Sequence, residues 1–180
     1  MNIGQRIMVM GSSGSGKSTM AKRLGEITGL PVVHLDSISW LPGWVAMPEA
    51  EFDEKVREIA DAPAWVIDGN YSRTRDYRLE RADTVIYLDF SRYTCLLRAL
   101  KRRIMYHGRT RPDIGEGCPE RITRWLVKWI WTYPRRKPAV LDWLSKIEPP
   151  KRVYRLKGNR AVKRFFREVG ESVIATGIDI

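Results

Sequence analysis

Five short stretches along the chain have the pattern of sheet strands, and helical spacing of apolar residues follows most of them. These stretches are residues 7–10, 31–35, 64–67, 84–88 and 151–156. Continuous apolar runs of this length are typical of buried strands. After the first stretch, Met20, Leu24 and Ile27 recur at intervals of three and four residues, which predicts a helix with one buried face. The alternation of strands and helices predicts an α/β fold.

Prolines mark the expected limits of the other helices. One helix is expected between Pro48 and Pro63, and another after the fourth strand. Residues 120–133 carry apolar side chains at helical intervals, and we predict a separate helix after Pro138, because proline interrupts helical hydrogen bonding. A last helix is expected after the fifth strand.

The strongest chemical signal is the run G-S-S-G-S-G-K-S at residues 11–18, which matches the phosphate-binding pattern G-x-x-x-x-G-K-[ST]. It lies between a predicted strand and a predicted helix, as the motif requires. Its glycines let successive backbone N–H groups surround phosphate oxygens, and the helix N-terminus adds positive charge. We expect Lys17 to reach the β- and γ-phosphates of ATP and the Ser18 hydroxyl to ligate Mg²⁺. The predicted nucleotide-binding residues are Gly11, Ser12, Ser13, Gly14, Ser15, Gly16, Lys17, Ser18 and Thr19.

Two aspartates follow predicted strands, Asp36 after the second and Asp68 after the third. Ligands of open α/β sheets lie beyond the carboxyl ends of the strands. Each aspartate is therefore a candidate to hold Mg²⁺ through water or to accept the proton of an acceptor hydroxyl. The structural alternative for Asp36 is a helix N-cap or a turn. His34, one step inside the strand, is better explained as a packed histidine.

Aromatic and basic side chains near these aspartates are candidates for holding the acceptor. Trp40 and Trp44 lie in a loop, where they either wall a pocket or seal the edge of a core. Arg73 follows Asp68 closely, and its planar guanidinium fits phosphate oxygens, although a solvated basic turn is the alternative. We predict an acceptor region at about residues 36–63 and name three substrate-binding residues: Asp36, Trp40 and Arg73.

The net charge of +11 is concentrated in one part of the chain. Residues 92–137 hold ten arginines and three lysines but only three acidic residues. Such a block favours partners that carry phosphate, either nucleotides or nucleic acid.

Within this basic block, residues 107–119 contain three glycines and two prolines and show no clear periodicity. Long irregular segments in a compact domain are commonly functional. We interpret the segment at about 103–120 as a lid that closes over a transferring phosphoryl group. Arg103 would lie at its base, and Arg109 and Arg111 at its tip.

Length and composition fit one domain over residues 1–180. At 43% hydrophobic and 29% charged residues, the 180-residue chain has the composition of a globular protein. Cys95 and Cys118 provide neither a disulfide framework nor a metal-binding pair, which favours a reducing, cytoplasmic environment. The first strand begins too early for a signal peptide, and no apolar run approaches the ~20 residues of a membrane span.

Strands alternating with helices, a phosphate loop after the first strand and a basic lid after the fourth resemble the adenylate kinase and small-molecule kinase group of P-loop proteins. Residues 35–40, 66–73 and 88–89, followed by a basic aromatic helix, resemble a narrower branch, the DNA topology modulation (FlaR-type) proteins. The resemblance implies a P-loop three-layer fold with a five-stranded parallel sheet in the order 2-3-1-4-5. The turn after the last strand is expected beside the phosphate loop, which makes Asn159 a candidate nucleotide contact.

Two segments depart from the adenylate kinase pattern. Asp68 and Gly69 match the start of the Asp-Gly-Phe-Pro-Arg run that follows strand three in adenylate kinases, but residues 70–72 precede Arg73 here. The Leu-Asp-Ser sequence around Asp36 looks more like the acidic acceptor site of shikimate or gluconate kinases.

The motif and the resemblance imply an ATP- and Mg²⁺-dependent phosphotransferase with a small-molecule or nucleotide acceptor. The predicted catalytic residues are Lys17, Asp36, Asp68, Arg103, Arg109 and Arg111. Two alternatives stay open: a nucleotide-regulated DNA-binding protein that uses the basic segment with Trp125 and Trp129, and a bare NTPase whose acceptor is water. Nucleic acid is the less favoured partner, because no helix-turn-helix or zinc module is evident. The sequence does not specify the oligomeric state.

Overall fold

A computed structural model describes residues 3–175, with the side chains of 172–175 excepted. These residues form a five-stranded parallel sheet with helices on both faces and a small antiparallel hairpin. In chain order the elements are β1 (Arg6–Gly11), α1 (Lys17–Thr28), β2 (Val32–His34), α2 (Leu35–Ser39), β3 (Trp40–Leu41), β4 (Val45–Ala46), α3 (Glu49–Asp61), β5 (Trp65–Asp68), α4 (Ser72–Arg81), β6 (Thr84–Asp89), α5 (Arg92–Met105), α6 (Arg124–Ser145), β7 (Arg152–Lys157) and α7 (Gly158–Ala175).

The sheet order is β2-β5-β1-β6-β7, and every neighbouring pair is parallel. In the numbering of the five predicted strands this is 2-3-1-4-5, so the predicted fold class is confirmed. The register places the carboxyl ends of three neighbouring strands side by side, because Val9 pairs with Asp68 and His34 pairs with Asp68. Asp68 therefore lies in the middle of the edge at which the phosphate loop begins.

Alternate residues of β1 face the two layers of helices. Ile7 and Val9 pack in one core with side chains of α1 and α7. Met8 and Met10 pack in the other core with α3 and the second half of α6. Continuous apolar runs are the expected sequence of a strand that is covered on both faces.

The expectation of two separate helices around Pro138 is wrong, because α6 runs unbroken from Arg124 to Ser145 with Pro134 and Pro138 inside it. Both prolines lie on the exposed side of the helix. Proline has no N–H group to donate, and the carbonyls left without a helical donor are exposed to water on this side. Buried side chains before and after the prolines hold both halves against the core. The helix also begins at Arg124 rather than at residue 120, with the Thr123 hydroxyl as its N-cap acceptor for Leu126 N at 3.1 Å.

Two elements near the site differ from the sequence prediction. The segment around Asp36, for which no helix was predicted, forms α2, and the loop predicted at Trp40 and Trp44 forms the β3–β4 hairpin. Arg73, for which a basic turn was the alternative to substrate binding, lies in the first turn of α4. The fully inward positions of α4 are Thr74 and Arg78, so no apolar stripe marks this helix in the sequence.

No helix within the described residues is long and apolar enough to cross a membrane.

Candidate active site

The phosphate loop has backbone conformations that depend on glycine. Gly11, Gly14 and Gly16 have φ values of 151°, 76° and 97°. A Cβ on Gly14 would lie 2.2 Å from the Cys95 carbonyl oxygen, so α5 itself closes this position to larger residues. Gly16 is the N-cap of α1 and leaves the first turn without a side-chain cap. The N–H groups of this first turn are therefore suited to binding an anion.

Side chains of the loop also fit a phosphate ligand. Lys17 Nζ donates to the Ser12 carbonyl at 3.2 Å and borders the adjacent cavity. Within the described part of the chain, Ser15 Oγ is buried without a hydrogen-bond partner. A buried orphan hydroxyl is costly unless a ligand or water satisfies it. The loop thus combines uncapped N–H groups and a cation at the cavity with a buried hydroxyl that has no partner.

Asn70 braces the start of the phosphate loop. Its Nδ2 donates to the Gly11 carbonyl at 2.8 Å, and its Oδ1 accepts from Gly11 N at 3.1 Å. This two-way pairing joins the end of β5 to the end of β1 where the strands themselves diverge. The brace was absent from the sequence prediction.

Arg78 of α4 holds the turn that carries Asn70. Its fully buried guanidinium donates to the carbonyls of Gly69 at 3.0 Å, Asn70 at 2.8 Å and Tyr71 at 3.0 Å. Burial lowers the pKa of Arg78 to about 10, with a further contribution from the nearby Arg75 charge. The side chain stays charged at neutral pH and acts as a clamp on three successive carbonyls.

Asp36 lies on the wall of the cavity and is oriented by Tyr71. The Tyr71 hydroxyl donates to Asp36 Oδ1 at 2.7 Å. Burial, together with the Asp36 charge, raises the pKa of Tyr71 well above its ordinary value. Tyr71 is therefore a permanent donor, and Asp36 keeps a second oxygen for a ligand.

Asp68 is 2% exposed, and its Oδ2 lies 3.0 Å from His34 Nδ1. Burial works against protonation of the imidazole. The hydrogen bond and charge of Asp68, with the charges of Asp113 and Asp36, outweigh burial and raise the pKa of His34. His34 thus pairs with Asp68, and this pair lies behind the cavity wall rather than on it.

The raised pKa of His34 predicts a pH-dependent contribution to folding stability. Protonation favours the folded state, so the pair contributes fully below the unfolded pKa of about 6.5, and the contribution is lost as pH rises through the folded pKa. We expect the stability difference between wild type and His34→Gln to shrink above about pH 6.5. Urea unfolding at intervals from acid to alkaline pH measures it; a difference that stays constant or grows with pH would contradict the ion pair.

The segment 106–123 is folded against the β3–β4 hairpin. Gly43 N donates to the Gly117 carbonyl at 3.0 Å, and Trp44 Nε1 donates to the Pro119 carbonyl at 3.1 Å. Cys118 Sγ lies 3.2 Å from the Leu41 carbonyl oxygen. The segment predicted to be a lid therefore packs on the hairpin, which lies within the predicted acceptor region.

Ion pairs organise the interior of this lid. Arg111 is 8% exposed and lies 2.6 Å from Asp113 Oδ2 and 2.5 Å from Glu120 Oε2, while Arg102 of α5 donates to Glu120 Oε1 at 3.0 Å. Asp113 also accepts a hydrogen bond from the Ser18 hydroxyl. Burial disfavours its ionisation, but the Arg111 charge and the Ser18 bond prevail and lower the pKa of Asp113. The bond between Asp113 and Ser18 thus connects this segment directly to the phosphate loop.

A cavity of about 630 Å³ lies between the phosphate loop, the hairpin, the lid and α6. This volume is in the range of small-molecule sites. Four of the sequence-predicted site residues border it besides Ser13: Lys17, Asp36, Trp40 and Arg111.

Other predicted residues lie elsewhere. Arg73 forms ion pairs with Glu49 and Asp53 of α3, and its guanidinium serves the α3–α4 contact rather than the cavity. Arg109 is exposed, and Arg103 donates to His107 Nδ1 at 2.6 Å.

Asn159 lies beside the phosphate loop, as expected. Arg98 of α5 connects the two by donating to the Ser15 carbonyl at 2.8 Å and to Asn159 Oδ1 at 2.6 Å. The Arg98 guanidinium also lies over the Phe90 ring, 4.3 Å from its centroid.

Sequence reasoning missed several residues of the site, and for different reasons. Tyr71 and Asn70 were within a segment already singled out, but polar residues in a turn carry no signal of their partners. Asp113 was treated as one of few acids in a basic segment, and only the closed lid brings it to Ser18.

No protein-family model and no curated protein matches this chain. Solved structures do resemble it. A gluconokinase from Sinorhizobium meliloti 1021 has a TM-score of 0.55 and 18% identity, with 98% of this chain and 95% of that chain covered. A shikimate kinase from Acinetobacter baumannii in complex with shikimate has a TM-score of 0.56 and 14% identity, with 98% and 96% covered.

An unliganded sugar kinase from Janibacter sp. HTCC2649 has a TM-score of 0.52 and 17% identity, with 94% of this chain and 98% of that chain covered. All three similarities extend over nearly the whole of both chains. At these identities they establish the architecture alone: the chain shares its α/β fold, with a five-stranded parallel sheet flanked by helices, with these three kinases.

Proposed function

We propose that this protein is an ATP- and Mg²⁺-dependent phosphotransferase that acts on a small-molecule or nucleotide acceptor. The observation that carries the proposal is the cavity bordered at once by Lys17 of the phosphate loop, by Asp36 and by Arg111 of the lid. A phosphoryl transferase needs those three functions together: a donor-phosphate site, a proton acceptor and a cation near the transferring group.

The donor side of the cavity suits a nucleotide triphosphate. The N–H groups at the start of α1 would hold phosphate oxygens, and Lys17 would exchange its bond to the Ser12 carbonyl for a charge-assisted bond to phosphate. The Ser18 hydroxyl is the group that would hold Mg²⁺, and Asp113 is its present partner. Mg²⁺ supplies charge neutralisation of the phosphates when bound.

The acceptor side gives different roles to the two predicted aspartates. Asp36 faces the cavity with one oxygen held by Tyr71, so it would take the proton from an acceptor hydroxyl. Asp68 is bound to His34 and would keep the edge of the sheet in place. Arg111 would stabilise charge on the transferring group, and the closed lid would exclude water from it.

Transfer to water and a nucleotide-regulated DNA-binding function are the competing proposals, and a cytoplasmic location stays a prediction. ADP release from Mg-ATP separates these functions. The purified protein is assayed alone and then with AMP, CMP, UMP, GMP, shikimate, gluconate and short DNA. Stimulation by a small acceptor supports the proposal. Release that no acceptor changes indicates an NTPase, and stimulation by DNA alone favours the nucleic-acid function.

Asp36→Asn tests the proton-acceptor role. We expect kcat to fall by about 100-fold or more while the affinity for Mg-ATP stays within about twofold, because general-base catalysis contributes on the order of 10²–10⁴ to rate. Asp142→Asn is the matched control, since Asp142 is exposed on α6 and pairs with Lys146. An unchanged kcat in Asp36→Asn, or equal effects of the two variants, would assign the proton transfer to another group.

A further inference from the structure

The cavity is lined by more than the phosphate loop, and α6 and the hairpin give it a distinct chemistry. Ser13 and Lys17 of the phosphate loop border it. Trp125 and Trp129 of α6 and Trp44 of the hairpin border it as well. Whatever occupies the whole cavity as acceptor must therefore fit an indole-lined wall as well as the catalytic groups.

The tryptophans present flat surfaces rather than a closed apolar core. Trp125 and Trp129 are one helical turn apart and stack with centroids 5.2 Å apart and planes 19° apart. Trp125 nevertheless keeps 64% of its surface exposed. Trp44 meets Trp40 edge to face, with centroids 5.5 Å apart. Large aromatic faces left open in a cavity favour a planar ring, because stacking contributes more than burial alone.

The same wall carries uncompensated positive charge. The cavity is lined by six cationic side chains but by two carboxylates, Asp36 and Glu120. Glu120 is fully engaged by Arg102 and Arg111. In contrast, neither Arg121 nor Arg136 has a carboxylate partner among the residues that the structure describes.

These two arginines are held by tryptophan rings. The Arg136 guanidinium lies 3.6 Å from the Trp129 centroid, and Arg121 lies 4.6 Å from the Trp44 centroid. A guanidinium group on an aromatic face can still direct N–H groups of its edge at carboxylate or phosphate oxygens. Arg136 Nη2 donates to the Trp129 carbonyl at 2.7 Å, but within the described residues Arg136 Nε is buried without a hydrogen-bond partner. Ring surface and anion donors therefore occur side by side.

We propose that the acceptor is an anion that carries a planar aromatic ring. The ring stacks on the tryptophans at the α6 end, and the anionic group pairs with Arg121 and Arg136. This inference rests on the proposed function, since it names the substrate class of the same cavity. A hydroxyl-rich aliphatic acid fits less well, because carboxylates are needed to hold its several hydroxyls. Among the described residues that line the cavity, Asp36 is the one carboxylate that is not engaged by arginine.

Matched pairs of probes test the ring requirement. Binding is measured by calorimetry on the full chain saturated with Mg-ADP, so that the probes are kept from the donor site. One pair is phenyl phosphate and cyclohexyl phosphate; the other is CMP and ribose 5-phosphate. We expect the aromatic member of at least one pair to bind about tenfold more tightly than its counterpart. The pairs distinguish a simple aryl anion from a nucleotide. Equal affinities within both pairs would overturn the proposal, and so would a short DNA oligonucleotide that binds far more tightly than CMP.

Exposed residues give variants that leave the fold intact. Trp125→Ala should reduce the affinity for the aromatic probe about tenfold and leave the saturated probe unchanged. Arg121→Gln should weaken both members of a pair, because it removes the anion contact. Trp131→Ala and Arg124→Gln are the controls, since both residues are exposed on α6 and lie outside the cavity lining. Equal effects of Trp125→Ala and Trp131→Ala would overturn the proposal.

Mg-ADP binding, measured first, separates this inference from the proposed function. A protein that binds no nucleotide contradicts both. A protein that binds Mg-ADP, releases ADP with a small acceptor and shows no ring preference contradicts the ring-bearing acceptor alone.

Discussion

Replacing Lys17 by alanine is expected to weaken Mg-ATP binding by about 100-fold or more. Lys17 Nζ lies within the phosphate loop, 3.2 Å from the Ser12 carbonyl, where it would meet the donor phosphates. Truncating one partner of a buried, hydrogen-bonded charge pair costs on the order of 2–5 kcal/mol. Isothermal titration calorimetry with Mg-ATP measures this loss, and circular dichroism checks that the variant is folded.

Lys22→Ala is the matched control for this prediction. Lys22 belongs to the same helix, is exposed and makes an ion pair with Glu26 one turn away. It removes the same charge without touching the phosphate loop, so its affinity for Mg-ATP should stay near that of wild type. Equal affinities of Lys17→Ala and Lys22→Ala would show that net charge, not the loop geometry, determines nucleotide binding.

The largest loss of folding stability is expected from Arg78→Met. Methionine fills much of the same volume but donates no hydrogen bond, so the Gly69 and Asn70 carbonyls lose their partner, whereas the Tyr71 carbonyl keeps the Thr74 N–H. Each unsatisfied buried acceptor costs about 1–3 kcal/mol, so two of them predict a loss of about 2 kcal/mol or more. Chemical denaturation of wild type and variant measures the difference in the free energy of unfolding.

The same variant should also weaken nucleotide binding. The turn held by Arg78 carries Asn70, whose amide pairs with both backbone groups of Gly11 at the start of the phosphate loop. Arg167→Met provides the control, because Arg167 is exposed on α7, on the opposite side of the sheet from α4. If the free energy of unfolding falls by less than about 1 kcal/mol in Arg78→Met, water replaces the guanidinium. The structural role assigned to Arg78 would then be wrong.

The sequence was sufficient for the sheet and for the position of the phosphate loop between β1 and α1, because both are encoded locally. Each strand is a short apolar run, and the phosphate loop is a contiguous motif whose function requires its glycines. The strand order followed from the resemblance to P-loop kinases. The pattern failed at α4, whose inward side chains include a charged arginine, and at α6, whose two prolines lie on the exposed side of a continuous helix. Both failures occur where tertiary contacts override a local preference.

The acceptor side of the site was less predictable because its residues meet only after the lid has folded. Arg111 was selected for its charge, but its burial between Asp113 and Glu120 depends on the path of an irregular segment. Arg73 shows the opposite case. Its position soon after Asp68 predicts a substrate contact, but its charge is neutralised by carboxylates of α3, which precedes it by some twenty residues. Charge in a sequence indicates a class of partner, whereas the structure determines which charges remain uncompensated.

In the proposed reaction, phosphate passes from ATP to an acceptor held in the cavity beside Asp36. ATP labelled at the γ-phosphate tests this transfer when the label is followed in the presence of the acceptor that best stimulates ADP release. We predict that label appears in the acceptor with wild type and disappears with Lys17→Ala. Label found solely in inorganic phosphate, or transfer that persists in Lys17→Ala, would contradict it.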